Sequence, residues 1–388
     1  MIYRILFIAL LVTGCKTSKI EEVYDINPEV NFNRILQEEV NTPQNETAGI
    51  SLTVISPELG LDFSGAAGYD SKDKNTTLKA EQPFRIASLT KTFVASAILR
   101  LQEQGLLDIN DPITSYISEK HISILEKGGY LPGTITLKHC MMHTSGLYDY
   151  AEGGPDYIEM ASKSPKKRWT RTEQIQFAMD YGKPLALAGK EHHYSDTGYI
   201  LLGEIIENIT QKGLAEGLRT LLKFDALEMN ATWLESLENR PVGLLPSVKR
   251  YLGNIDASDW DNSVDLYGGG GLSSTTRDLC IFLQGLFNGS IYENKNTLPV
   301  MLLQKDFIPK VKGELPEYRL GFGNIRSKTS DVEAFLHAGF WETIFMHFPK
   351  YNCSIAINHT NGDSKTLQKV INYVQWLDKN QKRNTQPY

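Results

Sequence analysis

The chain has 388 residues, 41% of them hydrophobic and 22% charged, with a formal net charge of −6. That length buries a large core in one domain or two, and the composition is that of a globular protein rather than a disordered or fibrous one. The acidic balance excludes the basic footprint that a nucleic-acid partner requires, and no apolar run is long enough to span a bilayer.

The first fifteen residues read as an export signal. Met1-Ile2-Tyr3-Arg4 carries one basic residue, Ile5 to Val12 is a compact apolar stretch, and the small residues Thr13-Gly14 precede Cys15. Val12-Thr13-Gly14-Cys15 resembles a bacterial lipobox, which implies lipidation of Cys15, attachment to a membrane through that anchor, and residence in the bacterial cell envelope. Residues 16–31 are polar and lack periodicity, so they are expected to be a tether between anchor and domain. Cys140, Cys280 and Cys353 each lie in apolar patterns and read as buried small hydrophobes.

Further along, Gly49 to Ser56 alternates as a strand, Pro57 to Gly60 makes a turn, and Leu61 to Tyr69 is its hairpin partner. From Ser88 the pattern becomes helical through Phe93, Ala97, Ile98 and Leu101, and Gln104-Gly105 ends it. Helices and loops then dominate to about residue 315. Short helices are expected over Thr136–Met142, Thr172–Tyr181, Tyr199–Ile209 and Leu214–Leu222. The Gly268–Gly271 run breaks the chain, and Ser273 to Asp278 caps a helix reaching Phe287. Strands return in Tyr318–Ile325, Ala334–His337, Thr343–Phe348 and Cys353–Asn358, and a helix over Ser364–Leu377 closes the domain. Strands at both ends with helices between imply one sheet built from the two termini and a helical insertion.

Ser88-Leu89-Thr90-Lys91 places a serine and a lysine on one face at the start of a helix, where N–H groups and the dipole favour developing negative charge. Two other stretches offer partners, Tyr194-Ser195-Asp196 and His337-Ala338-Gly339-Phe340. Ser-x-x-Lys, Tyr-Ser-Asp and His-x-Gly in this order resemble the serine β-lactamase and penicillin-binding protein superfamily, in the branch with a tyrosine in the second motif. The resemblance extends to His143-Thr144-Ser145-Gly146-Leu147 and to Gly270 through Asp278, and covers roughly residues 35 to 380. It implies an α/β (α+β) fold: an antiparallel sheet flanked by terminal helices, from residues 32–105 and 265–380, with an all-helical part inserted at 106–264. That branch holds class C β-lactamases, DD-peptidases, D-aminopeptidases and esterases.

The resemblance assigns roles. Ser88 attacks a carbonyl and forms an acyl-enzyme that water releases. A lysine near pKa 10.4 or a tyrosine near 10 needs a shift of roughly three units to act as a base at neutral pH. An ammonium beside a phenol lowers the phenol, so Lys91 is expected to bring Tyr194 down. The backbone N–H groups of Ser88 and of Phe340, which follows Gly339, are the implied oxyanion donors. Two positions depart from the family pattern. Asp196 stands where asparagine is usual; it cannot donate to substrate but can hold Lys91 as an ammonium, which moves the base role to Tyr194. His337 stands where lysine is usual in members that recognise β-lactams, and a mostly neutral imidazole binds a substrate carboxylate less firmly.

The expected activity is therefore hydrolysis of an ester, amide or D-amino-acid peptide, with weak or no action on β-lactams. A non-catalytic penicillin-binding sensor or cell-wall peptide-binding protein is the alternative. No cofactor or metal is called for: Glu191-His192-His193 lacks a further ligand at metalloprotease spacing and reads as polar residues near Tyr194. His143 and Ser145 read as structural, and Trp341 and Tyr148 as pocket or core aromatics. No G-x-S-x-G elbow surrounds Ser88, which argues against an α/β-hydrolase.

Overall fold

The computed structural model describes residues 24–42, 47–154, 156–302, 317–326, 332–362 and 366–384. The export signal with Cys15, and the first half of the expected tether, lie outside the described residues. The remainder of that tether is part of the fold. Helix α1 (Pro28–Asn41) starts within it, with the Asn27 side chain accepting from the Glu29 N–H at 3.0 Å. Asn31 is buried and its amide takes the place of a backbone partner, donating to the carbonyls of Asp25 (2.6 Å) and Asn27 (3.0 Å). Composition made this stretch look like a linker because its polar groups are satisfied internally, which no hydrophobic period reveals.

Ile50, Leu52 and Val54 alternate with Ser51 and Thr53 in β1 (Gly49–Ser56), which pairs along its length with β2 (Leu61–Gly68). After β3 (Phe84–Arg85) comes α2 (Thr90–Glu103), buried from Thr90 to Leu101. The insertion carries α3 (Glu119–Lys127), α4 (Leu137–Met141), α5 (Asp156–Lys163), α6 (Arg171–Tyr181), α7 (Asp196–Thr210) and α8 (Leu214–Leu221). Short strands follow: β4 (Trp233–Leu234), the β5–β6 hairpin (Tyr251–Leu252, Ile255–Asp256) and β7 (Leu272–Ser274). The chain continues through α9 (Thr276–Phe287), α10 (Thr297–Leu302), β8 (Glu317–Tyr318), β9 (Gly323–Arg326), β10 (Glu333–Gly339), β11 (Thr343–Phe348), β12 (Cys353–His359) and α11 (Thr366–Asn384).

The main sheet has seven antiparallel strands in the order β2-β1-β12-β11-β10-β9-β8, so the two termini meet at β1 and β12, with Ile50 opposite His359. One face packs on α1 and α11 through Phe32, Leu36, Ile355, Tyr373 and Val374. The other faces α9, where the hydroxyls of Thr53 and Thr276 meet at 2.9 Å. The antiparallel α/β fold with an inserted group of helices is the one the motifs implied. In detail it differs at three places. The part at 106–264 is not all-helical, since β4 pairs with β7 and β5–β6 form a hairpin there. Tyr318–Ile325 is not one strand but β8 and β9, reversed around Gly321, whose φ is +80°. Ser273 and Ser274 belong to β7, and the helix cap is Thr275, which accepts from the Asp278 N–H at 3.2 Å. Among the described residues no helix is long and apolar enough to cross a membrane.

Candidate active site

The nucleophile turn is held from both sides. The Ile86 N–H donates to the Leu272 carbonyl of β7 at 3.0 Å, and the Thr343 hydroxyl of β11 donates to the Ile86 carbonyl at 3.2 Å. Ala87 then takes φ +46°, a left-handed conformation costly for a residue with a Cβ, and Ser88 follows on a tight 3₁₀ turn (Ala87–Leu89) that leads into α2. Ser88 remains 8% exposed, whereas Lys91, one helical turn on, is fully buried.

Lys91 has three acceptors for its three N–H bonds: Ser88 Oγ at 2.8 Å, the Gly269 carbonyl at 2.7 Å and the Asp196 carboxylate in direct contact. Every N–H bond of the buried amine therefore has an acceptor, and one of the three is a carboxylate. Asp196 occupies the first position of α7, where the helix dipole favours its charge, and its own N–H donates to Asp149 Oδ1 at 3.3 Å. Close approach at Gly269 makes this possible, since a Cβ there would lie 2.7 Å from Asp196 Oδ1.

Tyr194 lies across Lys91, its ring centroid 5.0 Å from Nζ, with the Ser88 side chain near its hydroxyl. Its phenol is not lowered. Burial, Tyr318, Asp196 and Glu152 push it well above the ordinary tyrosine range, and only the Ser88 contact opposes them. The expected lowering by Lys91 is thus corrected: Asp196 neutralises that ammonium, and low polarity disfavours a phenolate. His143, left-handed at φ +56°, stacks on Tyr194 with centroids 4.1 Å apart. Its Nδ1 accepts from the Ser195 N–H at 3.1 Å, so the neutral ring braces the tyrosine loop, the structural part expected of it.

His337 comes to the same site on β10, but both ring nitrogens are engaged. Nδ1 donates to the Ala338 carbonyl at 2.8 Å, which leaves Nε2 to accept from the Tyr318 hydroxyl at 2.7 Å. Burial, with Lys91 nearby, pushes the imidazole down to about 3. It is a neutral group with no free nitrogen for a substrate carboxylate. Gly339 packs against the nucleophile turn, where a Cβ would lie 2.4 Å from the Ile86 carbonyl, and Phe340 follows it directly in the chain.

Motif reasoning missed Tyr318, Asp149, Glu152 and Asp265. Asp149 and Glu152 follow the His143–Leu147 segment closely, and Asp265 precedes the tetraglycine, so proximity to motifs was their only sequence signal. Tyr318 lay in a strand pattern and had none. Burial raises all three acids: Asp149 well above the carboxylate range, Glu152 to about 7 and Asp265 to about 6, with Asp196 adding to each. In the Glu191-His192-His193 run Glu191 contacts His193 at 3.0 Å and the His192 ring lies against His143 and Tyr318, and among the described residues no cluster fits a metal.

The Beta-lactamase family model matches residues 39–377. The chain belongs to the Beta-lactamase family. Among its curated relatives are the teichoic acid D-alanine hydrolase of Staphylococcus aureus, 25% identical over 340 residues (84% of this chain, 74% of that one), and the acyltransferase calJ of Penicillium decumbens, 26% identical over 303 residues (73% and 69%). Among solved structures, the D-amino acid amidase of Ochrobactrum anthropi SV3 complexed with L-phenylalanine shares 26% identity with a TM-score of 0.71, covering 92% of this chain and all of that one. A D-stereospecific amidohydrolase from Streptomyces sp. superposes at TM-score 0.73 with 23% identity over 89% of this chain and 98% of that one, a likeness of fold. These relatives of the Beta-lactamase family include hydrolases, and the amidase was captured with an amino acid.

Proposed function

We propose that the chain is a serine hydrolase that acts through a Ser88 acyl-enzyme on an ester, amide or D-amino-acid peptide, with little or no turnover of β-lactams. The observation that carries this reading is the state of the site's two cation candidates. Lys91 is consumed by Asp196, Gly269 and Ser88, and His337 is neutral and occupied, so neither offers a free positive charge to the carboxylate of a penicillin or a D-alanyl-D-alanine end.

Because Lys91 donates to Ser88 Oγ, the Ser88 proton is free to point at Tyr194. A phenol that stays protonated serves as a relay. As Ser88 Oγ bonds to the acyl carbon, its proton passes to the Tyr194 oxygen while the Tyr194 proton goes to the leaving nitrogen or oxygen. Water then attacks the ester, and the same relay runs in reverse and restores Ser88. The N–H groups of Ser88 and Phe340 are proposed to hold the oxyanion. Relatives named as a D-alanine hydrolase and a D-amino acid amidase support the substrate class.

A fluorophosphonate probe with wild type and Ser88→Ala, alongside a panel of p-nitrophenyl esters, D-amino-acid amides and a chromogenic cephalosporin, tests this. Ser88-dependent turnover of esters or amides with little cephalosporin hydrolysis is the expected result; rapid cephalosporin turnover overturns it, and permanent labelling without turnover identifies a sensor instead. For the N-terminus we propose a lipid anchor on Cys15 facing the cell envelope, checked by mass spectrometry of the mature chain from wild type and Cys15→Ser.

A further inference from the structure

Beside the Ser88–Lys91 pair lies a narrow cleft with room for about one water-sized group, walled by Ala87, Arg85, Glu235, Asn262, Asp265 and Trp341 among others. Its position is set by the site. Ala87 immediately precedes the nucleophile, and Asp265 packs against Gly270, the neighbour of the Gly269 whose carbonyl takes Lys91. The cleft therefore adjoins the acyl carbon of a bound substrate. The lining is unevenly satisfied. Arg85 is paired with Glu235 at 3.1 Å and donates to the carbonyls of Ala257, Ser258 and Trp260, and Glu235 also takes the Ser273 hydroxyl. That pair offers nothing to a ligand. Asp265 and Asn262 do. Among the described residues no group hydrogen-bonds the Asp265 carboxyl, and the buried Asn262 Oδ1 has no partner. Backbone is shaped to keep the carboxyl there, because a Cβ on Gly270 would lie 2.0 Å from Asp265 Oδ1.

Two acceptors without donors, in a narrow cleft whose only cation is already paired, call for a small, positively charged donor. A primary ammonium meets this need: it is water-sized, supplies three N–H bonds and brings the charge that a desolvated carboxylate lacks. An anion fails because no positive group is free, and an apolar group would leave both acceptors unpaired. We infer that the cleft is a subsite for the ammonium group of the substrate's acyl part, bound by Asp265 and Asn262 beside Ser88. This rests on the serine-hydrolase reading and narrows it: the preferred substrate is an aminoacyl ester or amide with a free amino group, over the same compound without it.

The test keeps the two readings apart. Ser88-dependent hydrolysis of p-nitrophenyl propionate, which has no amino group, reports on the hydrolase reading alone. The ratio of kcat/KM for the p-nitrophenyl ester of D-alanine to that for p-nitrophenyl propionate reports on the subsite. In wild type this ratio is expected to exceed ten, and to fall about tenfold or more in Asp265→Asn and again in Asn262→Leu, which keeps the carboxylate and removes the second acceptor. Binding is measured independently of turnover by NMR titration of Ser88→Ala with D-alaninamide and propanamide. Tighter binding of D-alaninamide that weakens in both double variants supports the subsite. Equal binding of the two amides, or a preference that survives both substitutions, overturns it and leaves the cleft as a place for a resident water.

Discussion

Adjacent glycines separate two regions of opposite character. At Gly269 the carbonyl accepts from Lys91, and the missing Cβ lets Asp196 close on that lysine, so the charges and donors of this corner are matched within the protein. At Gly270 the missing Cβ makes room for Asp265, which with Asn262 faces a cleft and finds no donor among the described residues. The difference separates machinery from recognition. A group that positions a nucleophile has to be held by the fold before substrate arrives, whereas a group that reads substrate is left unsatisfied so that the ligand completes it.

The matched corner breaks hardest. Ser88→Ala removes the acyl acceptor, and esterase activity is expected to fall by roughly a thousandfold or more, with loss of fluorophosphonate labelling. Lys91→Met leaves Asp196 buried without a counter-charge next to Asp149. It is expected to lower activity comparably and to cost about 3–5 kcal/mol of stability by urea denaturation; a variant as stable as wild type would show that the ion pair is not the anchor of this corner. Tyr194→Phe keeps the stack on His143 but interrupts the proton path, so kcat is expected to drop about a hundredfold with KM little changed; an equal loss carried by KM would place the phenol in binding instead.

The unmatched side responds in the other direction. Burial raises the Asp265 carboxyl from 3.8 to about 6. Between those values the folded chain keeps a proton that the unfolded chain has released, so this group's contribution to stability falls as pH rises through the window. A neutral amide escapes that loss. Asp265→Asn is therefore expected to melt a few degrees above wild type at pH 8 and to lose the advantage at pH 4, read by thermal denaturation; a variant less stable than wild type at pH 8 would mean the carboxylate has a partner in the fold. The smallest effect is expected at His337. His337→Gln, which can still accept from Tyr318, should change ester kcat/KM by less than about fivefold, because the imidazole serves Tyr318 rather than substrate. A large loss would return His337 to the binding surface.

Much of this protein is legible in the order of its residues. Alternation delimits β1 as Gly49–Ser56, helical spacing finds α2 and α7, and the spacing of Ser88 and Lys91 on one helical turn already places a nucleophile beside an amine. These are local properties, set by strand and helix periods that act within a few residues. What lay outside that reach was decided by packing. α1 was hidden because Asn31 caps its own neighbourhood with side-chain hydrogen bonds. Tyr318 joined His337 only because β8, β9 and β10 lie side by side. The ionisation of Tyr194 could not be read from its neighbour Lys91, since Asp196, 105 residues further along the chain, takes up that charge and burial does the rest. Sequence alone determined which chemical groups are present and which of them share a turn. The tertiary structure decided which are charged, which are paired and which are left open, because desolvation and electrostatic pairing depend on everything within a few ångströms, whatever its distance along the chain.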